Sequence, residues 1–161
     1  AATCLRRLEP ALAPAVAADI AEEPLRYDDL LTECESALAD SEVGVVEGIG
    51  GLRVPLAEGR EVIDLVADLA LPTVVVSRSG LGTLNHTALT VEALDGRNVP
   101  IRGIVLNEYE GVTLAERTNP EVLSEMTAET VATLSPISMS DPTDVVTGIR
   151  DRLPREIAFG T

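Results

Sequence analysis

The stretch LPTVVVSRSGLGTLNHTALTVEALDGRNVPIRGIVLNEY, Leu71 to Tyr109, decides how this chain folds. Its β-branched run at Thr73–Val76 has the pattern of a parallel strand covered on both faces. Gly80 and Gly82 break that run, and TLNHTALTVEALDG then reads as a helix ended by Gly96. IRGIVLNEY follows as a second buried strand. Strand, helix and strand in that order predict a right-handed crossover and parallel pairing.

The same alternation continues in both directions. Upstream, EVIDLVADLA sets Val62, Ile63, Val66, Leu69 and Ala70 on one helical face and stops before Pro72. EVGVVE, Glu42 to Glu47, reads as a short buried strand. YDDLLTECESALAD places Leu30, Leu31, Cys34 and Leu38 on a helical stripe with acids at its start. In LEPALAPAVAADI the Ala run after Pro14 starts a short helix. Downstream, NPEVLSEMTAET predicts a helix with Asn119 as cap and Pro120 in its first position. VATLSPIS is a weaker strand, and DPTDVVTGIRDRL a final capped helix.

The expected fold is therefore α/β: a parallel sheet with helices on both faces, in three layers. With 161 residues, 45% of them apolar, and neither repeat nor low-complexity linker, residues 1–161 are expected to form a single α/β domain.

Composition narrows the function. The formal net charge is −15, and all twelve basic residues are Arg. Such a field repels nucleic acid and anionic membranes, so neither is an expected partner. It suits a halophilic, high-salt cytoplasm, where screening shortens like-charge repulsion; a GC-rich genome with an ordinary acidic surface is the alternative. No apolar run approaches the roughly 20 residues of a membrane span, and the start does not resemble a signal peptide. Cys4 and Cys34 are too few for a disulfide framework and fit no metal spacing, which points to reduced thiols and a cytoplasmic location.

In parallel α/β sheets, ligands sit beyond the carboxyl ends of the strands. Three such ends carry chemistry. Glu47 closes EVGVVE and is followed by Gly48, Ile49, Gly50 and Gly51. A carboxylate there suits Mg²⁺, with bare backbone behind it for an anion; a tight turn with Glu47 facing solvent is the other reading. At SRSGLGTLNH the glycines precede a helix N-terminus, a site for carboxylate or phosphate unless it is a plain turn. His86 has no Cys or second His nearby and reads as a structural helix residue. Asn107 ends a strand and offers a donor and an acceptor to an adenine edge, although Asn also favours turns. No G-x-x-x-x-G-K-[S/T] phosphate loop occurs, and without Lys none is possible.

Together, LEPALAPAVAA, VVEGIGGLRVPL, LPTVVVSRSGLGTLNHTALTVEAL, GIVLNEY and RTNPEVL resemble the dethiobiotin synthetases, ATP-dependent biotin-pathway enzymes with a P-loop NTPase-like fold. The string E-G-x-G-G-x-x-x-P-L followed by L-G-x-x-N-H carries most of that resemblance. It implies ATP and Mg²⁺ as cofactors, with Glu47 holding the metal and Gly48, Ile49 and Gly50 beside the phosphates. Asn107 and Glu108 would approach the adenine, with Pro136, Ile137 and Ser138 as the far wall of the base pocket. The family often places an acid near Asp141 to Asp144 toward the ribose. Leu81, Gly82, Thr83, Leu84 and Asn85 would receive the carboxylate tail of 7,8-diaminopelargonic acid across a homodimer interface.

The implied reaction joins that diamine, CO₂ and ATP into dethiobiotin, ADP and phosphate. The family's phosphate loop, catalytic lysine and a second metal-binding acid would precede Ala1. One strand-loop-helix unit of roughly 30 residues or more is thus expected upstream. No catalytic residue is then expected within this chain, and residues 1–161 alone should have no synthetase activity. A related P-loop amidoligase and a non-catalytic, regulatory module of the same shape are the alternatives. The former would usually carry an amidotransferase domain with reactive Cys and His, for which this chain has no room.

Overall fold

A computed structural model describes residues 4, 6–9, 11–39, 41–138 and 140–159. It forms two compact units, Ala1–Leu71 and Pro72–Thr161, each described by itself.

In the first unit, α1 (Pro14–Ala21) begins with Pro14, whose missing N–H costs nothing in a first turn. It buries Ala17 and Ala18 and ends at Glu22 in the left-handed region. α2 (Tyr27–Ala39) carries Asp28 and Asp29 in its first turn, where they favour the helix dipole. A small antiparallel hairpin follows, β1 (Pro55–Ala57) and β2 (Arg60–Glu61), turning through Glu58 and Gly59 at φ 50° and 77°. Two consecutive positive φ values suit a tight hairpin turn. α3 (Val62–Leu69) starts where Asp64 accepts from the Glu61 N–H at 2.8 Å, and it ends at Ala70 before Pro72. Tyr27, Leu30, Leu56 and Ala57 form the core, flanked by Leu25 and Leu65. The Tyr27 ring carries Arg60 above it at 4.9 Å and its hydroxyl donates to Asp68 at 2.6 Å.

The strand expected at Glu42–Glu47 does not form. Residues 41–51 are irregular, with Val43, Val45 and Val46 at 70%, 90% and 37% exposure. Strand propensity is realised only against a neighbouring strand, and no strand among the described residues pairs with this segment. The Pro55–Glu61 hairpin, too short to show periodicity, was not anticipated.

The second unit is the α/β body. β3 (Thr73–Arg78), β4 (Ile101–Asn107) and β5 (Val131–Leu134) form a parallel sheet in that order, flanked by α4 (Thr83–Asp95), α5 (Leu114–Thr127), α6 (Pro142–Arg152) and α7 (Arg155–Phe159). Ile104, Leu106, Leu94 and Leu123 are fully buried; each such side chain contributes about 2 kcal/mol. Gly103 on the central strand leaves a notch: a Cβ there would lie 3.0 Å from Ile157 and 2.8 Å from the Thr130 carbonyl. Ile157 of α7 sits over it with no exposed surface.

Two expectations for this unit need correction. β3 is not covered on both faces, because it lies at the sheet margin and Val76 is 65% exposed. α5 begins at Leu114, not at Asn119. Thr113 caps it by accepting from the Glu116 N–H at 3.2 Å, while Glu116 accepts from the Thr113 N–H at 2.9 Å. That reciprocal box outcompetes the Asn119–Pro120 signal. Pro120 lies inside the helix, so the Glu116 carbonyl loses its helical donor. The other predicted helices and strands form where the sequence placed them, and Asp141 caps α6 by accepting from the Thr143 N–H at 2.7 Å.

Candidate functional site

Parallel register brings three segments of the second unit to one edge. Arg78 pairs with Asn107, and Asn107 with Leu134, so β3, β4 and β5 end side by side. The Tyr109 N–H donates to the Leu134 carbonyl at 2.9 Å, and the Ser79 hydroxyl donates to the Glu108 carbonyl at 3.3 Å. Asn107 and Glu108 are exposed at this edge, and Glu108 adopts a left-handed conformation with φ 53°. The predicted adenine-reading pair thus stands beside both neighbouring strand ends.

After β3 the chain turns at Ser79–Gly82 into α4. Gly82 sits at the N-cap with φ 94°, and no side chain caps the helix. First-turn amides of an uncapped helix are unsatisfied donors, the chemistry an anion needs. Leu81 is 89% exposed and Asn85 exposed, whereas Thr83 is fully buried. Thr83 joins Ser77 and Thr87 in a closed set of hydroxyl contacts at 2.7–3.1 Å. Thr83 therefore anchors the turn and does not face outward. Leu84 is half-buried. His86 accepts from the Arg78 guanidinium at 2.9 Å, consistent with a structural role.

The loop between β3 and α4 is tied down from α5. Asn119, 4% exposed, donates to the carbonyls of Ser79 at 2.7 Å and Gly80 at 3.2 Å. Glu116 is nearly buried; its Oε1 accepts from Ser79 Oγ at 3.1 Å, and its Oε2 from the Val112 and Thr113 amides and the Thr113 hydroxyl. These donors, the Thr113 backbone N–H foremost, hold its carboxyl below the usual range. Neither residue was among the predicted site residues. The T-x-x-E spacing at Thr113–Glu116 was the available signal for Glu116; Asn119 had been taken for a cap.

Beyond β5, a shallow cleft of about 320 Å³ opens between Pro136–Ser138 and Asp144, Thr147 and Gly148 of α6. The three residues predicted to wall a base pocket all line it. Gly148 is bare where a Cβ would come within 3.0–3.2 Å of three Ile137 carbons, so Ile137 seats against the helix. Asp144 and Asp151 line the cleft. Arg152 lines it too, so the cleft presents both carboxylate acceptors and a guanidinium donor.

Glu47, Gly48, Ile49 and Gly50 belong to the first unit. Glu47 and Ile49 are exposed, the latter at 56%. Gly50 has φ 70°, and a Cβ on it would lie 2.9 Å from Val54, so the turn after Glu47 requires glycine there. Among the described residues no group of three or more His, Cys, Asp or Glu side chains converges to hold a metal. No helix among them is long and apolar enough to cross a membrane.

Comparison with known proteins matches residues 6–143 to an AAA domain family. The chain is 59% identical over 156 residues to an ATP-dependent dethiobiotin synthetase of Haloferax mediterranei, covering 97% of this chain and 67% of that protein. It is 37% identical over 129 residues to one of Thermodesulfovibrio yellowstonii, covering 74% of this chain and 54% of the relative. For one of Anaeromyxobacter dehalogenans the identity is 45% over 120 residues, covering 74% and 50%. The chain thus spans between half and two thirds of the length of these relatives.

Proposed function

Because the chain belongs to the ATP-dependent dethiobiotin synthetase family within the AAA domain group, we propose that the complete protein makes dethiobiotin from 7,8-diaminopelargonic acid, CO₂ and ATP. The observation that carries this reading furthest is the shared edge of β3, β4 and β5, where an uncapped helix start, Asn107–Glu108 and the Pro136–Ser138 cleft adjoin.

In this reading an amine of the diamine captures CO₂ as a carbamate. A carbamate oxygen attacks the γ-phosphorus and ADP leaves. The second amine then attacks the carbonyl of the mixed anhydride, closes the cyclic urea and expels phosphate. The protein's work is positioning and electrostatic balance. Leu81–Asn85 offers backbone donors to the tail carboxylate. Asn107 and Glu108 read the adenine, and Pro136, Ile137 and Ser138 wall its pocket. Asp144, on the lining of that cleft, is proposed as the acid toward the ribose. Glu47 is proposed to hold Mg²⁺, flanked by Gly48, Ile49 and Gly50; one or two carboxylates suit an ion that takes its remaining ligands from water and phosphates. Bound there, Mg²⁺ would balance charge on the nucleotide phosphates.

Residues 1–161 contain no lysine, so they offer no lysine contact to phosphate. We therefore propose that these residues by themselves are inactive, that the two units belong to one domain, and that the complete protein is a homodimer. A cytoplasmic location, in keeping with the free thiols of Cys4 and Cys34, and a halophilic source, in keeping with the charge of −15, belong to the same proposal.

The test is direct. Full-length protein, given the diamine, bicarbonate and MgATP, should form dethiobiotin and ADP in equal amounts. ATP binding without dethiobiotin formation would favour a non-catalytic module instead.

A further inference from the structure

We infer that Asn119 and Glu116 are positioning residues that turn the Ser79–Gly82 loop toward its anionic ligand, setting affinity for the tail carboxylate without touching it. This rests on the proposal that Leu81–Asn85 receives that tail.

The loop has little else to hold it. Leu81 is 89% exposed, so apolar packing does not fix its tip, and α4 has no side-chain cap. Apart from the Ser79 hydroxyl on the Glu108 carbonyl at 3.3 Å, what orders it comes from α5. The Asn119 amide donates to two successive carbonyls, Ser79 at 2.7 Å and Gly80 at 3.2 Å. In a trans peptide the C=O and the following N–H point in opposite directions. Drawing the carbonyls of Ser79 and Gly80 toward Asn119 therefore turns the N–H groups of Gly80 and Leu81 away from α5. Successive amides turned one way make a concave donor site for an anion. The Gly80 carbonyl also accepts the Thr83 N–H at 3.3 Å, so Asn119 holds the group that closes the first turn of α4.

Glu116 supplies the second tie. One carboxylate oxygen caps its own helix and the other accepts the Ser79 hydroxyl at 3.1 Å, so the start of α5 and the loop after β3 are joined through a single side chain. Without these ties the Ser79 carbonyl is free to rotate outward, and the Gly80 carbonyl keeps only the Thr83 N–H. They would then present partial negative charge to an anionic ligand.

The experiment uses the full-length protein with Asn119→Leu, which keeps the branching and heavy-atom count, adds no charge and removes both donors. Steady-state constants are measured for ATP, for 7,8-diaminopelargonic acid, and for 7,8-diaminononane, which lacks the carboxylate. The expected result is a diamine KM raised about tenfold or more, with the KM for ATP and for the carboxylate-free analogue within about twofold of wild type. A diamine KM within about twofold, or an equal rise for all three ligands, would overturn the inference. If Asn119→Leu does not fold, Ser79→Ala removes the hydroxyl's contacts to Glu116 and to the Glu108 carbonyl and leaves the Asn119 ties in place. It should raise the diamine KM by about threefold with the ATP KM unchanged, and an unchanged diamine KM would likewise overturn the inference. Wild-type protein that uses the analogue as well as the true diamine would instead remove the underlying reading of Leu81–Asn85.

Discussion

Ser79 and Glu116, 37 residues apart in sequence, meet in a buried hydrogen bond of 3.1 Å. Glu116 also gathers the amides of Val112 and Thr113, so it is a carboxylate whose charge the fold needs. Its ordinary value is 4.5 and the fold lowers it, chiefly through the Thr113 N–H. A lowered carboxyl contributes stability that is present above the unfolded value and is lost as pH falls through the folded one. Melting temperature should therefore drop steeply below about pH 4.5. Glu116→Gln should melt lower at neutral pH yet lose less on acidification. Parallel melting curves for the two proteins down to about pH 3 would refute this.

Tyr27 gives the opposite sign. Burial, then the hydrogen bond to Asp68, raises its phenol above the ordinary 10.0. A raised group contributes stability that is complete below the unfolded value and is lost as pH rises through the folded one. In an alkaline titration followed by phenolate absorbance, one of the two tyrosines should stay protonated until the protein unfolds. Tyr27→Phe should remove that late step and cost about 1 kcal/mol, because Asp68 keeps access to water. Two tyrosines ionising together near 10.0 in folded protein would contradict the assignment.

Glu47 is exposed, so its loss should leave folding nearly untouched. In the full-length protein, Glu47→Gln should lower ATP turnover at limiting Mg²⁺ by about tenfold, with the melting temperature changed by little. Rates within about twofold of wild type at limiting Mg²⁺ would mean that Glu47 only faces solvent.

Salt tests the charge. With −15 net and no Lys, stability should rise as screening weakens repulsion among the acids. Between about 0.1 M and 2 M KCl the Debye length falls from roughly 10 Å to under 3 Å. The melting temperature should climb by several degrees over that series. A flat or falling midpoint would indicate an ordinary acidic surface.

The parts of the fold that could be read from sequence are those whose signal is local. Leu71–Tyr109 alternates continuous β-branched or apolar runs with a helical pattern strongly enough that β3, α4 and β4 fall where expected. The Val43–Val46 segment shows the limit: its β-branched residues state a preference that only a partner strand can fulfil. At α5 two start signals competed, and the reciprocal Thr113–Glu116 box prevailed over Asn119–Pro120. Of the three expected strand ends, those at Arg78 and Asn107 form where parallel topology puts them, whereas Glu47 ends no strand among the described residues. Asn119 was not, since it reaches Ser79 and Gly80 across 40 and 39 residues, a separation that no local pattern encodes.

The notch at Gly103 also bears on how this protein is made. Translation delivers β3, β4 and β5 first, yet the side chain that fills the notch on the central strand is Ile157. Until that residue leaves the ribosome, the sheet has a bare apolar patch and its second unit cannot close. Closure of this unit therefore waits on α7, and until then the emerging chain exposes an apolar surface of the kind that chaperones bind.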